Sequence, residues 1–418
     1  LKKIFVRSFG CQMNEADSQE MLAALLARGY AETTSLKEAD AVLVNTCTVR
    51  DHAEHRAISY IGSLAGWKKA AKSPRTIIVA GCAAERLGDA LKKRFAHVDL
   101  AAGAKSIEIF PRLLDETGIA AGAAAAPNAQ SAICAYLTVM RGCNCSCAYC
   151  IVPAVRGPAK FRNPEDIVRE AELKVRSGAR ELTLLGQTVN SYRAGDCDFA
   201  QLLRRVHAVE GLLRLRFMSP HPAFVTDSLI EAFGSLPKLV RHIHLPAQSG
   251  SDRVLALMRR GYDRRRFLET VSKLRRAVPD IAISTDFIVG FPTETAEDFA
   301  QTLSLADEAE VMNAYCFKFS PRQGTAAADM AGQAPCEVTE SRLNTLLEKI
   351  KSRARGHAES LRRKTVEVLL ESGEAGRTPE NMWASVKGAG SPGELALTEV
   401  RSVRDCTISC EIKGGVPS

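Results

Sequence analysis

Cys11, Cys47 and Cys82 each lie just past a short run of β-forming residues, in Val6-Arg7-Ser8-Phe9-Gly10-Cys11, Val42-Leu43-Val44-Asn45-Thr46-Cys47 and Ile78-Val79-Ala80-Gly81-Cys82. That shared offset constrains the chain strongly, because parallel strands of one sheet bring their carboxyl ends to a single crevice. Around it, strand-like runs at Lys3 to Ser8, Ala41 to Asn45 and Thr76 to Ala80 alternate with helical patterns. The first helix is expected after Asn14 as N-cap, with Asp17 at its third position and Met21, Leu22, Leu25 and Leu26 on one face. Strand, helix, strand, helix predicts an α/β fold with a parallel sheet covered on both faces. Three thiols at one crevice would ligate an iron–sulfur cluster and leave one iron open. Packing under a loop is the usual fate of a lone cysteine, but three at one offset argue against it.

A second trio, Cys143, Cys147 and Cys150, is contiguous, in Arg141-Gly142-Cys143-Asn144-Cys145-Ser146-Cys147-Ala148-Tyr149-Cys150, directly after another predicted strand. In a barrel of parallel strands this loop opens on the carboxyl face, where reactive groups collect. Three thiolates are one fewer than a closed zinc site or a fully ligated 4Fe-4S cluster needs. The free iron can bind the amino and carboxylate groups of S-adenosylmethionine and pass an electron to its sulfonium. A zinc site completed by Cys145 is the alternative, but C-x-C-x-C-x2-C is poorly spaced for tetrahedral zinc, and Cys145 reads as a bystander. Cys134, Cys197, Cys316, Cys336, Cys406 and Cys410 show no pattern and read as structural.

With 418 residues, 46% of them hydrophobic, two or three folded units are expected, and disorder is excluded. No window approaches the ~18 unbroken apolar residues of a membrane span, and the start is too polar for a secretory signal, so a cytoplasmic, monomeric protein is expected. The first residue is Leu1 rather than Met, as in a trimmed chain. In a reducing compartment 13 cysteines read as metal or redox chemistry rather than disulfides. Asp252 to Arg276 carries nine basic residues against three acidic, which reads either as a phosphate-facing surface or as a solvated helix face.

Ala120 to Ala132 is small, Pro-interrupted and reads as a linker. Beyond it, candidate strands at Tyr136 to Met140, Glu181 to Leu185, Leu213 to Phe217, Val240 to Leu245, Ile281 to Val289 and Asn313 to Phe319 suggest a partial (β/α)6 barrel. A helix after Asn163 should open on Pro164, bury Ile167, Val168, Ala171 and Val175, and stop at Gly178. A long basic helix should follow from about Glu337 to Arg363. Runs at Thr365 to Leu370, Met382 to Val386, Leu395 to Val403 and Thr407 to Ile412, between Gly and Pro turns, suggest a small antiparallel barrel. Its charge is balanced, eight basic against eight acidic residues from Ser360 on, so bulk electrostatics would not carry RNA binding there.

Gly10-Cys11-Gln12-Met13-Asn14, Asn45-Thr46-Cys47, Gly81-Cys82 and the Cys143, Cys147, Cys150 loop together resemble the radical S-adenosylmethionine methylthiotransferases, over essentially the whole chain. Leu184 to Asn190, Ser219-Pro220-His221-Pro222, His244 to Ser251 and Ser284 to Pro292 match as well, and the tail is similar to the TRAM domain. The resemblance implies a methylthiotransferase domain for an auxiliary cluster at 1–119, a linker at 120–132, a radical barrel at 133–363 and a TRAM-like RNA-binding barrel at 364–418.

It also implies two 4Fe-4S clusters, one on Cys11, Cys47 and Cys82 and the other on Cys143, Cys147 and Cys150. One S-adenosylmethionine would methylate a sulfur at the first; a second would be cleaved at the other to a radical that takes hydrogen from C2 of an adenine. An sp2 carbon has no easy ionic route to that replacement, so the two crevices are expected to confront one another across a base drawn out of its stack.

Cys-Gln-Met-Asn followed by Glu15-Ala16-Asp17-Ser18 is similar to the branch that acts on N6-dimethylallyladenosine in the tRNA anticodon stem-loop. Branches acting on threonylcarbamoyladenosine or on ribosomal protein S12 typically carry Cys-Lys-Val-Asn or Cys-Pro-Lys-Asn there, and both remain alternatives. A non-catalytic, zinc-stabilised RNA-binding protein is the reading from another class. Tyr149, Gly186, Gln187, Gln248, Ser284 and Asp286 are candidate contacts to S-adenosylmethionine; Arg156 and Arg162 would meet phosphate, a cofactor carboxylate or surface acids. His221, His242 and His244 read as structural. An electron donor and a sulfur or cluster donor are required partners.

Overall fold

The computed structural model describes residues 1–120, 132–388 and 390–413. The expected linker at 120–132 lies almost wholly outside them. The chain forms two compact units, one of Leu1–Ala129, Arg141–Cys145 and Cys150–Lys160, the other of Gln130–Met140, Ser146–Tyr149 and Phe161–Ser418.

In the first unit, β1 (Lys2–Ser8), β2 (Tyr30–Glu32), β3 (Ala41–Thr46), β4 (Thr76–Gly81) and β5 (Leu100–Gly103) form a wholly parallel sheet in the order β2-β1-β3-β4-β5. Side chains alternate across a strand, and the apolar runs split accordingly. Ile4, Ala41, Leu43, Ile78 and Ala80 face one core with Met21 and Leu25 of α1 (Gln12–Leu26). Val42, Val44, Ile77 and Val79 face another with Ala57, Ile61 and Leu64 of α2 (Asp51–Lys69). Burial on both faces is why these strands are continuous apolar runs rather than alternating ones. In this strand order the crevice opens where connections leave β1 and β3 in opposite directions.

Helix α1 starts three residues earlier than expected, with Cys11 as N-cap and no side-chain cap bond. The Asn14 carboxamide does not cap. It donates to Asn45 Oδ1 at 3.1 Å and to the Thr46 carbonyl at 2.8 Å, a bond to the neighbouring strand that a local capping rule does not see.

In the second unit, parallel strands at Cys134–Thr138, Glu181–Leu185 and Arg214–Phe217 form one sheet and those at His242–His244, Ala282–Val289 and Asn313–Lys318 another. A parallel bridge from Leu215 to Leu239 joins them into the open six-strand arrangement expected. The helix Pro164–Arg176 is capped by Asn163, which accepts from Glu165 N at 2.8 Å, and it ends before Gly178 at φ +113°. The long helix runs Cys336–Ser360.

The tail closes into a five-strand barrel, Thr365–Ser372, Ala375–Arg377, Trp383–Lys387, Thr407–Ile412 and Leu395–Arg404 in spatial order. Two features differ from the expectation. The three-residue strand Ala375–Arg377 is too short to show a period, and Trp383–Lys387 pairs parallel to Thr407–Ile412, so the barrel is not purely antiparallel. It is tied to the third parallel strand by Arg214, on the carbonyls of Glu367 and Arg377, and by Arg216, on those of Thr378 and Pro379.

His221 is a structural histidine. Its Nδ1 accepts from Ala223 N at 3.2 Å, and burial pushes the imidazole down to about 3. Burial likewise holds His242 far below its ordinary range. Below pH ~6.5 the unfolded chain takes protons that the folded one refuses, so stability is full above that pH and falls toward pH 3. Urea unfolding is expected to lose up to about 1.4 kcal/mol per pH unit per such histidine, and His221→Asn to flatten the slope.

Candidate functional site

Cys11, Cys47 and Cys82 follow β1, β3 and β4, three adjacent strands at the centre of the sheet. Register aligns their carboxyl ends, with Ser8 opposite Asn45 and Thr46 opposite Gly81. A buried network fixes the three loops. Asn45 Nδ2 donates to the Asn14 carbonyl at 2.7 Å and to Ser18 Oγ at 3.0 Å; Thr46 Oγ1 donates to the Ala80 carbonyl at 2.6 Å and accepts from Ala84 N at 3.2 Å. The Cys11 thiol donates to Asn14 Oδ1 at 3.3 Å. Burial pushes the Cys47 thiol up, and that of Cys82 up to about 12; each also feels the neighbouring thiols of the set, Cys47 that of Cys11 and Cys82 those of both. The three thiols thus act on one another electrostatically at the ends of adjacent strands.

Two glycines permit this. At Gly10, φ +124°, an added Cβ would lie 2.5 Å from Cys47 Cβ. At Gly81, φ +96°, it would lie 2.2 Å from Asn45 Oδ1 and 2.4 Å from the Thr46 carbonyl. Gly81→Ala is therefore expected to cost roughly 2–5 kcal/mol in urea unfolding. Gly118→Ala, also at positive φ but with open space around it, should cost about 1 kcal/mol.

Behind the thiols, the fully buried Asp17 carboxylate is shared by Arg141 Nη2 at 3.1 Å and Arg156 Nη2 at 2.9 Å. Arg156 closes the short helix Val152–Arg156, whose Val155 packs with Ile151, Ala104 and Cys82. Nothing in the sequence announced that Asp17 pairs with Arg141, 124 residues away.

The loop of the second trio contributes to both units. In the first, Cys143 N donates to the Gly157 carbonyl at 3.1 Å and Asn144 Oδ1 accepts from Ala159 N at 2.9 Å. A Cβ on Gly142, φ +78°, would fall 2.0 Å from the Pro158 carbonyl, so only glycine fits that crossing. Cys145 N donates to Cys143 Sγ at 3.4 Å. In the second unit, Ala148 N donates to the Met258 carbonyl at 3.0 Å, and buried Arg260 donates to Cys147 Sγ and to Tyr149 Oη, both at 3.3 Å. Tyr149 packs against Ala148, Val254, Met258 and Phe291.

The other candidate contacts are placed as follows. Gln187 Oε1, at the end of its strand, is buried without a hydrogen-bond partner. At Gly186 an added Cβ would lie 2.5 Å from Met140 Cγ. Gln248, at φ +73°, bonds through its backbone to Asp286 and Ile288. Ser284 Oγ meets His242 Nε2 at 2.8 Å and His244 Nδ1 at 3.0 Å, and Asp286 pairs with His244 at 3.3 Å. Ser284 lines a cavity of about 150 Å³ with His242, His244, Tyr315, His357 and Trp383. Arg162 binds the Thr138 carbonyl and Glu170.

The basic run at 252–276 is largely engaged in ion pairs: Arg253 with Asp298, Arg264 with Glu308, Arg265 with Glu269, Lys273 with Asp227 and Arg275 with Glu310. The partners come mostly from other elements, which is why a count along the run overstated its free charge. Among the described residues no group of three His, Cys, Asp or Glu side chains is placed to hold a metal ion.

The Radical SAM superfamily model matches residues 137–306, and that of Uncharacterized protein family UPF0004 matches residues 3–103. The chain is 44% identical to the tRNA-2-methylthio-N(6)-dimethylallyladenosine synthase of Syntrophobacter fumaroxidans, over 82% of this chain and 79% of that protein. To the synthase of the same name from Aquifex aeolicus it is 39% identical over 98% of each. Among solved structures, the radical S-adenosylmethionine methyltransferase TsrM from Kitasatospora setae shares the fold at a TM-score of 0.59 and 12% identity, covering 78% of this chain and 74% of that one.

Proposed function

We propose that this chain, which belongs to the radical S-adenosylmethionine methylthiotransferase family, places a methylthio group on C2 of N6-dimethylallyladenosine in the anticodon stem-loop of tRNA. The observation that carries the reading is the placement of Cys11, Cys47 and Cys82 at the ends of three adjacent strands, in a chain that also carries a second trio of thiols at Cys143, Cys147 and Cys150. The substrate follows the names of relatives that share 39–44% of their residues with this chain.

The donor set suits two 4Fe-4S clusters, each held by three cysteines with one iron open: Cys11, Cys47 and Cys82 for the auxiliary cluster, Cys143, Cys147 and Cys150 for the radical one. A cubane spreads its thiolates over its own width, wider than the ligand sphere of one ion. Bound there, the clusters would supply electron transfer to S-adenosylmethionine and a site for the sulfur to be donated.

The chain's own residues then have definable tasks. Asn14, Asn45 and Thr46 hold the auxiliary loops in register. Arg260 puts a positive charge on Cys147, and Gln187 offers a buried acceptor to a ligand at the carboxyl face. Tyr149, Gly186, Gln248, Ser284 and Asp286 complete the set assigned to S-adenosylmethionine. Residues 1–119 would form the auxiliary-cluster domain, 133–363 the radical domain and 364–418 the RNA-binding barrel, in a cytoplasmic enzyme served by external electron and sulfur donors. No helix of the described residues is long and apolar enough to cross a membrane.

Anaerobic reconstitution is expected to give about eight irons per chain, and nucleoside mass spectrometry of tRNA incubated with the enzyme should show the 2-methylthio product. Zinc with little iron would overturn the reading. A gain only on threonylcarbamoyladenosine or on ribosomal protein S12 would move the substrate and keep the chemistry.

A further inference from the structure

We infer that Arg156 is a positioning residue for the cluster on Cys11, Cys47 and Cys82, a buried donor and fixed positive charge that sets how readily that cluster takes up an electron. The inference rests on the cluster assignment proposed above.

The Arg156 side chain is 4% exposed. Nη2 is committed to Asp17 at 2.9 Å, whereas Nη1 is buried with no hydrogen-bond partner. A buried unsatisfied N–H costs about 1–3 kcal/mol, so Nη1 is a donor that a further acceptor at this position would stabilise. The guanidinium interacts with the Cys82 thiol and, electrostatically, with Cys11. Val155, its neighbour in the same short helix, packs with Cys82, which fixes the approach.

Among the described residues Asp17 is the only carboxylate paired with Arg156, and Asp17 is shared with Arg141, whose second acid, Glu20, is half exposed. The positive charge of Arg156 is therefore only partly answered by the protein, next to the sulfurs that would carry an anionic cluster. Cluster potentials respond to net charge and to hydrogen bonds on sulfur. Adding an electron adds negative charge, so a fixed cation at this position favours the reduced form.

The test uses the full chain with Cys143, Cys147 and Cys150 all replaced by alanine, reconstituted anaerobically, its one remaining cluster titrated under electron paramagnetic resonance. About four irons per chain are expected; none would sink the cluster assignment itself, and this inference with it. With the cluster present, Arg156→Gln should lower the reduced-to-oxidised ratio at fixed poise about tenfold, a midpoint ~59 mV more negative for one electron. Arg156→Lys should stay within about threefold of the parent, and Asp17→Asn should move the midpoint the opposite way. An unchanged midpoint in Arg156→Gln overturns the inference, as does Arg156→Lys shifting as far as Arg156→Gln. Should Arg156→Gln fail to hold its cluster, Asp17→Asn decides: a more positive midpoint supports the role and an unmoved one refutes it.

Discussion

Cys47→Ala is expected to separate two activities that run together in the parent, leaving cleavage of S-adenosylmethionine to 5′-deoxyadenosine while removing the methylthiolated nucleoside. Cys147→Ala is expected to abolish both. The asymmetry follows from placement. Cys47 sits at the end of β3, between the loops of Cys11 and Cys82, in a network closed by Asn14, Asn45 and Thr46. Cys147 lies in the other trio, with Arg260 on its sulfur. Loss of a supporting contact around a metal site lowers activity ~10–100-fold, and loss of a ligand should exceed that. Liquid chromatography of 5′-deoxyadenosine beside mass spectrometry of the tRNA digest reads both arms. Full product from Cys47→Ala would end the auxiliary-cluster assignment; loss of cleavage together with product would mean that the two trios do not work separately.

The largest stability effect is expected at Arg216. Its Nε pairs with Glu181 Oε1 at 2.8 Å, both side chains under 10% exposed, and its Nη atoms bind the carbonyls of Thr378 and Pro379 at 2.8 and 2.7 Å. Glu181 Oε2 is buried without a partner, so the pair is not fully satisfied even in the parent. Arg216→Met strands the Glu181 charge and frees two carbonyls, and should cost about 3–5 kcal/mol. Chemical denaturation measures the loss, and limited proteolysis should release the chain after about residue 364. Adding Glu181→Met removes the stranded charge and is expected to recover part of it. A loss under about 1 kcal/mol would show that the barrel is held by its apolar contacts instead.

Legibility in the sequence tracked the range of the interactions involved. The parallel sheet was readable because burial on both faces writes itself as continuous apolar runs, as in Ala41–Thr46. Asn163, Pro164 and Gly178 marked a helix because capping is local. The cysteine offsets turned a local pattern into a three-dimensional statement, since neighbouring strands share an end. Asn14 shows where that reasoning stops: a residue suited to capping is drawn to the adjacent strand instead. The Asp17 and Arg156 pair spans 139 residues, and nothing local announces it. The close approach of Met140 to Gly186, 46 residues on, is equally silent in the sequence.

Arg214 and Arg216 alternate with Leu215 and Phe217 along one short strand, and their guanidinium groups clasp four carbonyls of the terminal barrel. The barrel is thus bolted to the scaffold rather than tethered to it. A nucleic acid gripped there would be measured from a fixed origin, and selection of one nucleotide among many would become a matter of distance along the substrate, set by a rigid ruler.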